Sequence, residues 1–311
     1  MTTALITHPD CLNHATPPGH PEQIARLEYI NDALSAPNFA PLVRVNAPLA
    51  ADDDILRCHP KSHVQMIRDA RPDDGVTQLD ADTFMSPGSL DAALRSVGAV
   101  TRAVDMVLSG EASNAFCAIR PPGHHAEQET PMGFCLFGNV AIAAKHALDH
   151  HGLGRVAIVD FDVHHGNGTQ ALVEEDERIL FISSHQSPLW PGTGAPHETG
   201  VANNVLNIPL PPRSGSVEFR AMFENHIIPK VSGFKPDLVI ISAGFDAHVL
   251  DPLAQLELTT DDFVFATEKL CDLADTACNG RLVSSLEGGY DLDALAESVS
   301  AHVKVLMERG K

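Results

Sequence analysis

Short apolar runs alternate with amphipathic segments along most of the 311-residue chain. Several runs consist almost entirely of Val, Ile and Leu, as in Leu238-Val-Ile-Ile241. A strand without polar alternation is typical of a parallel sheet that helices cover on both faces. The strands predicted from these runs are 4–7, 42–45, 115–119, 155–161, 179–183, 204–208, 237–241 and 281–286.

Segments with helical periodicity separate most of these strands. The predicted helices are 24–34, 90–108, 139–150, 217–231, 260–276 and 292–308. No internal repeat, low-complexity segment or Pro/Ser-rich linker divides the sequence. The pattern therefore predicts one doubly wound α/β domain over residues 1–311, with a central, mainly parallel sheet and helices on both faces.

Polar residues follow four of the predicted strands, close to where each strand ends. Ligands of open α/β sheets bind in the crevice beyond the carboxyl ends of the strands. We therefore expect these residues to converge on a single site. They are His124 and His125, the segment Asp160-Phe-Asp-Val-His-His165, Asp246, and Tyr290.

Asp162, His164 and Asp246 are candidate metal ligands. On an extended strand end, the i, i+2 spacing of Asp162 and His164 would point both side chains to the same side. Two carboxylates and one imidazole leave an open position on a tetrahedral zinc ion, which is typical of a catalytic site. The alternative is that Asp162 caps the following helix and that His164 is an ordinary core histidine.

Composition narrows the class of protein. The chain is 44% hydrophobic and 20% charged, as expected of a soluble globular protein with an ample core. It has no stretch of about 20 apolar residues and no export-signal pattern at Met1, so we expect no membrane span and a cytoplasmic location. The net charge of −20 disfavours nucleic acid as a partner.

Six segments together resemble the zinc-dependent histone deacetylase family, most closely its class II branch and the bacterial histone-deacetylase-like amidohydrolases. The resemblance runs from about His8 to the last predicted helix, and it implies the arginase/deacetylase fold. The segments are Arg120-Pro-Pro-Gly-His-His-Ala-Glu127, Gly133-Phe-Cys135, Asp160-Phe-Asp-Val-His-His-Gly-Asn-Gly-Thr-Gln170, Pro191-Gly-Thr-Gly194, Ser242-Ala-Gly-Phe-Asp246 and Glu287-Gly-Gly-Tyr290.

The resemblance implies two bound cations. Zinc would be bound by Asp162, His164 and Asp246. A structural potassium ion would be held through Asp160, Asp162 and the His164 backbone, together with Ser183 and Ser184.

The resemblance also implies catalytic roles. His125 would be the general base and then the general acid, and His124 its electrostatic neighbour. Asp160 would orient His124, and Tyr290 would donate a hydrogen bond to the developing oxyanion. Asn167 would orient His125 at a position where class I enzymes have Asp, and the uncharged amide should help to keep His125 neutral.

By the same resemblance, Gly133, Phe134 and Trp190 belong to a narrow substrate tunnel, although the two aromatic residues could instead be plain core residues. Leu253 stands where the polyamine-specific branch has a glutamate, which favours acylated lysine as substrate. Met85 is expected at the position of the acidic rim residue with which class I enzymes clamp peptide backbone.

The expected function is zinc-dependent hydrolysis of acyl-lysine side-chain amides. One alternative is an acetylpolyamine or other small-molecule deacetylase of the same fold. A ureohydrolase with two manganese ions would need more Asp and His ligands, and a catalytically silent acyl-lysine binding protein would not need every catalytic residue. The sequence leaves open the natural substrate, its acyl chain length, zinc versus iron, and whether the protein is a homo-oligomer.

Overall fold

An eight-stranded parallel sheet runs through the centre of the computed structural model, which describes residues 2–310. Its strand order is β2-β1-β5-β10-β9-β6-β7-β8. A separate two-stranded antiparallel hairpin is formed by β3 and β4. The strands are β1 (Thr3–Thr7), β2 (Val43–Asn46), β3 (Thr77–Gln78), β4 (Phe84–Met85), β5 (Asn114–Cys117), β6 (Val156–Asp160), β7 (Ile179–Gln186), β8 (Val205–Leu210), β9 (Leu238–Ala243) and β10 (Leu282–Leu286).

Helices flank the sheet in two groups. The helices α4 and α5 pack together against β1, β10, β9 and β6, whereas α9 and α10 pack together against β9 and β5, with α1 beside α10. The helices are α1 (Ile24–Ala33), α2 (Asp52–Ile55), α3 (Lys61–Asp69), α4 (Ser89–Ser109), α5 (Asn139–Asp149), α6 (Asn167–Val173), α7 (Ser216–Met222), α8 (Ile228–Phe234), α9 (Thr260–Cys278) and α10 (Leu292–Arg309). Within residues 2–310, no helix combines the length and the apolar character that crossing a membrane requires.

The predicted eight strands are present, and β9 and β6 are buried along their whole length, as their continuous apolar sequences indicate. The prediction of one helix over 217–231 is wrong. A π-helical segment, Phe223–Ile227, separates α7 from α8. Pro229 lies in the first turn of α8 and has no N–H to donate to the preceding turn, which accounts for the irregular segment.

Four neighbouring strands bring the predicted polar residues to one edge of the sheet. The strands β5, β10, β9 and β6 are adjacent and parallel, so their carboxyl ends lie side by side. Asp160 is the last residue of β6, and the loops that follow the four strands contain Asp162 to His165, the two histidines His124 and His125, Asp246 and Tyr290. This edge therefore positions the candidate site.

Candidate active site

The loop after β6 holds Asp162 and His164 by local hydrogen bonds. The strand ends at Asp160, so the predicted extended i, i+2 geometry is wrong. Instead, the N–H of Asp162 donates to Asp160 Oδ1 at 3.0 Å, and the N–H of His164 donates to Asp162 Oδ1 at 2.9 Å. Such side-chain-to-backbone turns replace strand pairing. The capping alternative for Asp162 is also wrong, because Gly166 precedes α6.

Asp162, His164 and Asp246 meet in a buried cluster. His164 Nδ1 lies 3.2 Å from Asp162 Oδ1 and 3.1 Å from Asp246 Oδ2. Burial, and next the Asp162 carboxylate, raises the pKa of Asp246 to about 7. A divalent cation would offset the repulsion between the carboxylates of Asp162 and Asp246. Two carboxylate oxygens and one imidazole nitrogen are also a set of ligands that zinc accepts. The residues present therefore fit a catalytic zinc ion.

Glycine at position 288 is required by this cluster. Its N–H donates to Asp162 Oδ2 at 2.8 Å. A Cβ atom at Gly288 would collide with the carboxylates of both Asp162 and Asp246. The close approach of the backbone explains why the Glu-Gly-Gly-Tyr segment lacks a side chain here.

The two adjacent histidines are oriented by different partners. His124 Nδ1 lies 3.0 Å from Asp160 Oδ2, and His125 Nδ1 lies 2.8 Å from Asn167 Oδ1. The Asn167 amide nitrogen donates to Glu127 Oε1 at 2.8 Å, so its oxygen is the acceptor and His125 Nδ1 carries the proton. Burial, and next the charge of His124, lowers the pKa of His125. His125 is therefore held neutral, with Nε2 free to accept a proton.

Tyr290 is buried beside the cluster, so the alternative of a surface tyrosine is wrong. Its N–H donates to Asp251 Oδ2 at 2.7 Å, and its ring lies edge-on to Phe134 at a centroid distance of 5.9 Å. The guanidinium of Arg26 lies 4.9 Å from the ring centroid and donates to the Gly289 carbonyl at 2.6 Å. Burial raises the pKa of Tyr290, so the phenol keeps its proton.

A cavity of about 180 Å³ opens above these groups. Trp190 is 41% exposed and its ring lies 4.7 Å from that of His125, so Trp190 is a wall of the cavity and not a core residue. The predicted tunnel residues all line the cavity. The lining consists of Asp82, His125, Gly133, Phe134, His164, Leu189, Trp190, Leu253 and Tyr290.

Known proteins resemble this chain in sequence and in fold. A sequence model described as "Histone deacetylase domain" matches residues 20–306. The chain belongs to the histone deacetylase family. The predicted family is therefore confirmed.

Individual relatives support the same family. "Histone deacetylase 14, chloroplastic" of Arabidopsis thaliana is 41% identical, over 93% of this chain and 73% of that protein. "Histone deacetylase-like amidohydrolase" of Pseudomonas aeruginosa is 39% identical, over 87% of this chain and 71% of that protein. The crystal structure of the HDA15 HD domain matches with a TM-score of 0.93 at 34% identity, covering 99% of this chain and 88% of that one. The predicted single α/β deacetylase domain is thus confirmed as the fold.

Glu287 is a buried residue of this deacetylase site to which the sequence reasoning gave no role. Its Oε2 accepts hydrogen bonds from the N–H groups of Gly123 at 2.7 Å and His124 at 3.2 Å. Its Oε1 accepts a hydrogen bond from Ser242 Oγ at 3.0 Å. Burial raises its pKa to about 7. The available signal was its position directly before the Gly-Gly-Tyr290 segment.

The expectation for Met85 is wrong. Met85 is fully buried in β4, and the acidic residue at the cavity is Asp82, in the loop of the β3–β4 hairpin. Asp82 Oδ1 accepts a hydrogen bond from the Gly133 N–H at 3.2 Å, and Thr83 Oγ1 accepts one from the Phe134 N–H at 3.0 Å. The loop of the hairpin therefore brings an acidic side chain to the cavity three positions before Met85.

Proposed function

We propose that this deacetylase-family chain is a zinc-dependent amidohydrolase that removes acetyl or other acyl groups from the side-chain amine of acyl-lysine. The observation that carries the proposal is the shape and lining of the cavity. At about 180 Å³ it is smaller than the ~300–1,000 Å³ of common ligand pockets. Its walls are mainly apolar, and its base contains His125, His164 and Tyr290. A thin aliphatic stem that ends in an amide matches this arrangement.

Asp162, His164 and Asp246 would hold the zinc ion at the base of the cavity, which His164 lines. When bound, zinc would supply a Lewis acid that polarises the amide carbonyl and lowers the pKa of a water molecule to about 7. Gly288 donates to Asp162, and the N–H of Val163 donates to Asp246 Oδ1 at 2.9 Å. These hydrogen bonds fix the carboxylates before any cation enters.

His125 would move the proton. Its Nε2 atom accepts a proton from the attacking water and later returns a proton to the leaving amine nitrogen. The lowered pKa keeps His125 ready as a base, since a protonated imidazole could not accept the proton. Asn167 holds the ring in the required tautomer, and Glu127 holds Asn167.

Tyr290 would stabilise the oxygen of the scissile carbonyl. Its hydroxyl donates a hydrogen bond that strengthens as negative charge develops on that oxygen. The raised pKa of Tyr290 ensures that this donor is present. Asp251 and Arg26 hold its backbone in place, so the hydroxyl is positioned before substrate binds.

The mouth of the cavity would select the substrate. Phe134 and Trp190 can enclose the methylene stem of lysine, and Leu253 offers no charge to pair with a second ammonium group. Asp82 has a carboxylate oxygen that could accept the backbone N–H of a bound peptide, as the class I rim residue does. These features favour acyl-lysine over an acetylpolyamine.

The proposal includes a structural potassium ion beside the zinc site, which the resemblance to the histone deacetylase family implies. Asp160 and Ser183 are register partners in β6 and β7, and Ser184 Oγ lies 3.5 Å from the Asp160 carbonyl oxygen. Carbonyl and hydroxyl oxygens are suitable ligands for such a cation. A cytoplasmic location stays a prediction from the sequence, and whether the protein is a homo-oligomer stays open.

The test is a panel of acetyl-lysine and longer-chain acyl-lysine peptides assayed beside N-acetylated polyamines. We expect the highest kcat/KM for an acyl-lysine peptide, loss of hydrolysis after chelation, and recovery with Zn²⁺. A higher kcat/KM for acetylspermidine would replace the proposal with a polyamine deacetylase. Peptide binding without hydrolysis in the zinc-loaded protein would indicate a silent binding protein.

A further inference from the structure

Three histidines and an aspartate form a second cluster of metal-ligating side chains, hereafter the histidine cluster. Its members are Asp105 on α4, His146 on α5, and His150 and His151 directly after α5. Asp105 Oδ1 lies 2.8 Å from His146 Nε2 and 2.7 Å from His151 Nε2, and the rings of His146 and His150 stack at a centroid distance of 4.8 Å. Each residue offers one ligand atom, and all four atoms lie within 4.8 Å of one another.

The histidine cluster lies far from the active site. The helix α5 begins at Asn139, which is packed against Gly123 of the loop that carries the catalytic histidines. From there α5 runs back along the sheet. At about 1.5 Å per residue, His150 lies roughly 16 Å further along the helix axis. The cluster therefore shares no residue with the zinc site proposed above.

The chemistry of the cluster matches a transition-metal ion. Imidazole nitrogen and carboxylate oxygen are ligands that Zn²⁺ prefers, and the i, i+4 spacing of His146 and His150 puts both on one helix face. The carboxyl-terminal end of α5 carries partial negative charge, which favours a cation there. His150 is exposed and the His151 side chain is 25% exposed, so an ion can reach both.

The second ring nitrogen of His146, Nδ1, gives separate support for a metal ion at the cluster. His146 Nδ1 is buried without a hydrogen-bond partner among the described residues, and it lies 3.7 Å from Asp54 Oδ1. With the proton on Nε2, facing Asp105, a bare Nδ1 lone pair faces the Asp54 carboxylate. A metal ion on Nε2 would move the proton to Nδ1, where it faces Asp54. A carboxylate beside the outer nitrogen of a metal-bound histidine is a common supporting contact.

We propose that the histidine cluster is a second site for a divalent transition metal, that Zn²⁺ fills it, and that the ion ties α4 to the end of α5. Zinc bonds of about 2.0–2.1 Å in tetrahedral geometry set the ligand atoms about 3.3 Å apart. The distances between Asp105 Oδ1 and its two histidine partners therefore need to open by only about half an ångström. The ion takes the place of the two Nε2 protons that face Asp105, and each neutral imidazole keeps its one proton on Nδ1.

The test compares metal stoichiometry between the wild-type enzyme and the double variant His150→Gln/His151→Gln. Glutamine at 151 can still donate to Asp105, so loss of that hydrogen bond is not a confounding change. After titration with Zn²⁺ and dialysis, we expect the wild type to hold one equivalent more than the double variant, with equal kcat. Co²⁺ should give a visible absorption band in the wild type that the double variant loses. The matched control His226→Gln, at an exposed histidine outside the cluster, should behave as the wild type.

Thermal unfolding gives a second readout. When the active site of both proteins already holds Zn²⁺, about a hundredfold excess of Zn²⁺ over the Kd of the histidine cluster should raise the Tm of the wild type by roughly 4 °C and leave the Tm of the double variant unchanged. Equal zinc stoichiometry in the two proteins would overturn the proposal, whatever metal the active site holds. So would an equal Tm gain in both, and circular dichroism of the double variant checks that it is folded.

Discussion

The base and the mouth of the cavity are built in different ways. At the base, His125, Tyr290 and Asp246 are buried, and each accepts or donates hydrogen bonds within the protein. At the mouth, Trp190 and Leu253 are partly exposed and contribute apolar surface. Hydrogen bonds therefore fix the positions of the polar groups at the base, whereas the side chains at the mouth contribute an apolar surface of a particular shape.

This difference predicts which property each region controls. Buried and aligned polar groups interact strongly with charge that develops during a reaction, because little water screens them. Apolar contacts discriminate between substrates by only about 1–3 kcal/mol. Substitutions at the base should therefore reduce the rate for every substrate, and substitutions at the mouth should change the ranking of substrates.

The largest effect is expected for Asp246→Ala. Loss of one of three proposed ligands removes the metal, and with it a contribution of several kcal/mol, so kcat should fall by roughly 10³-fold or more. The measurements are metal content by elemental analysis and hydrolysis of an acetyl-lysine peptide. Asp272→Ala, at an exposed aspartate of α9, is the matched control and should leave both unchanged. Full activity in a metal-free Asp246→Ala protein would contradict the proposed metal site.

The next effect is expected for Tyr290→Phe. The ring still packs against Phe134, so the fold should be unaffected, but kcat should fall by roughly 10²-fold because one oxyanion donor is lost. The second tyrosine of the chain offers the control, since Tyr29 is 43% exposed and Tyr29→Phe should be silent. A change confined to KM would mean that Tyr290 binds the substrate and the transition state equally.

The sequence predicted the edge of the sheet and most residues of the base, because strand ends and dense polar motifs are local signals. It did not predict how Asp162 and His164 are oriented, since the Asx-type turns become visible only once the end of β6 is known. Asp251 and Arg26 were also missed. Both support Tyr290 across sequence separations of 39 and more residues, and no local pattern marks such partners.

Asp82, at the mouth of the cavity, is another residue that local sequence patterns did not predict. Strands of two residues are too short to show the alternation of apolar and polar residues that marks a strand in a sequence. The β3–β4 hairpin was therefore absent from the prediction. Without the hairpin, Met85 was put at the rim in place of Asp82. Predictions at the mouth therefore depend on the structure more than those at the base.

Leu253→Glu should change selectivity, with a smaller effect on the rate. A carboxylate at the mouth could pair with the distal ammonium of acetylspermidine and contribute ~1–3 kcal/mol, which is roughly ten- to hundredfold in relative kcat/KM. Leu250→Glu adds the same charge at a nearby residue that is 62% exposed and lies outside the cavity lining. If both variants shift selectivity equally, general attraction by negative charge explains the effect, and Leu253 has no special role.

The smallest effect is expected for Glu127→Gln. This variant tests whether a residue that does not contact His125 directly still influences kcat. Glu127 accepts the Asn167 amide N–H at 2.8 Å, and Asn167 in turn holds His125. Glutamine can keep that hydrogen bond through its side-chain oxygen, so only the negative charge is removed. When His125 takes up a proton, this charge stabilises the imidazolium through the Asn167 dipole. Because Asn167 separates this charge from His125, kcat should fall by only roughly three- to tenfold, with KM unchanged. Direct partners typically contribute ~10–100-fold.

The control is Glu129→Gln, at an exposed glutamate two residues further along the chain, which should have no effect on kcat. An unchanged kcat in Glu127→Gln would limit the rate-controlling region to groups that touch His125 directly.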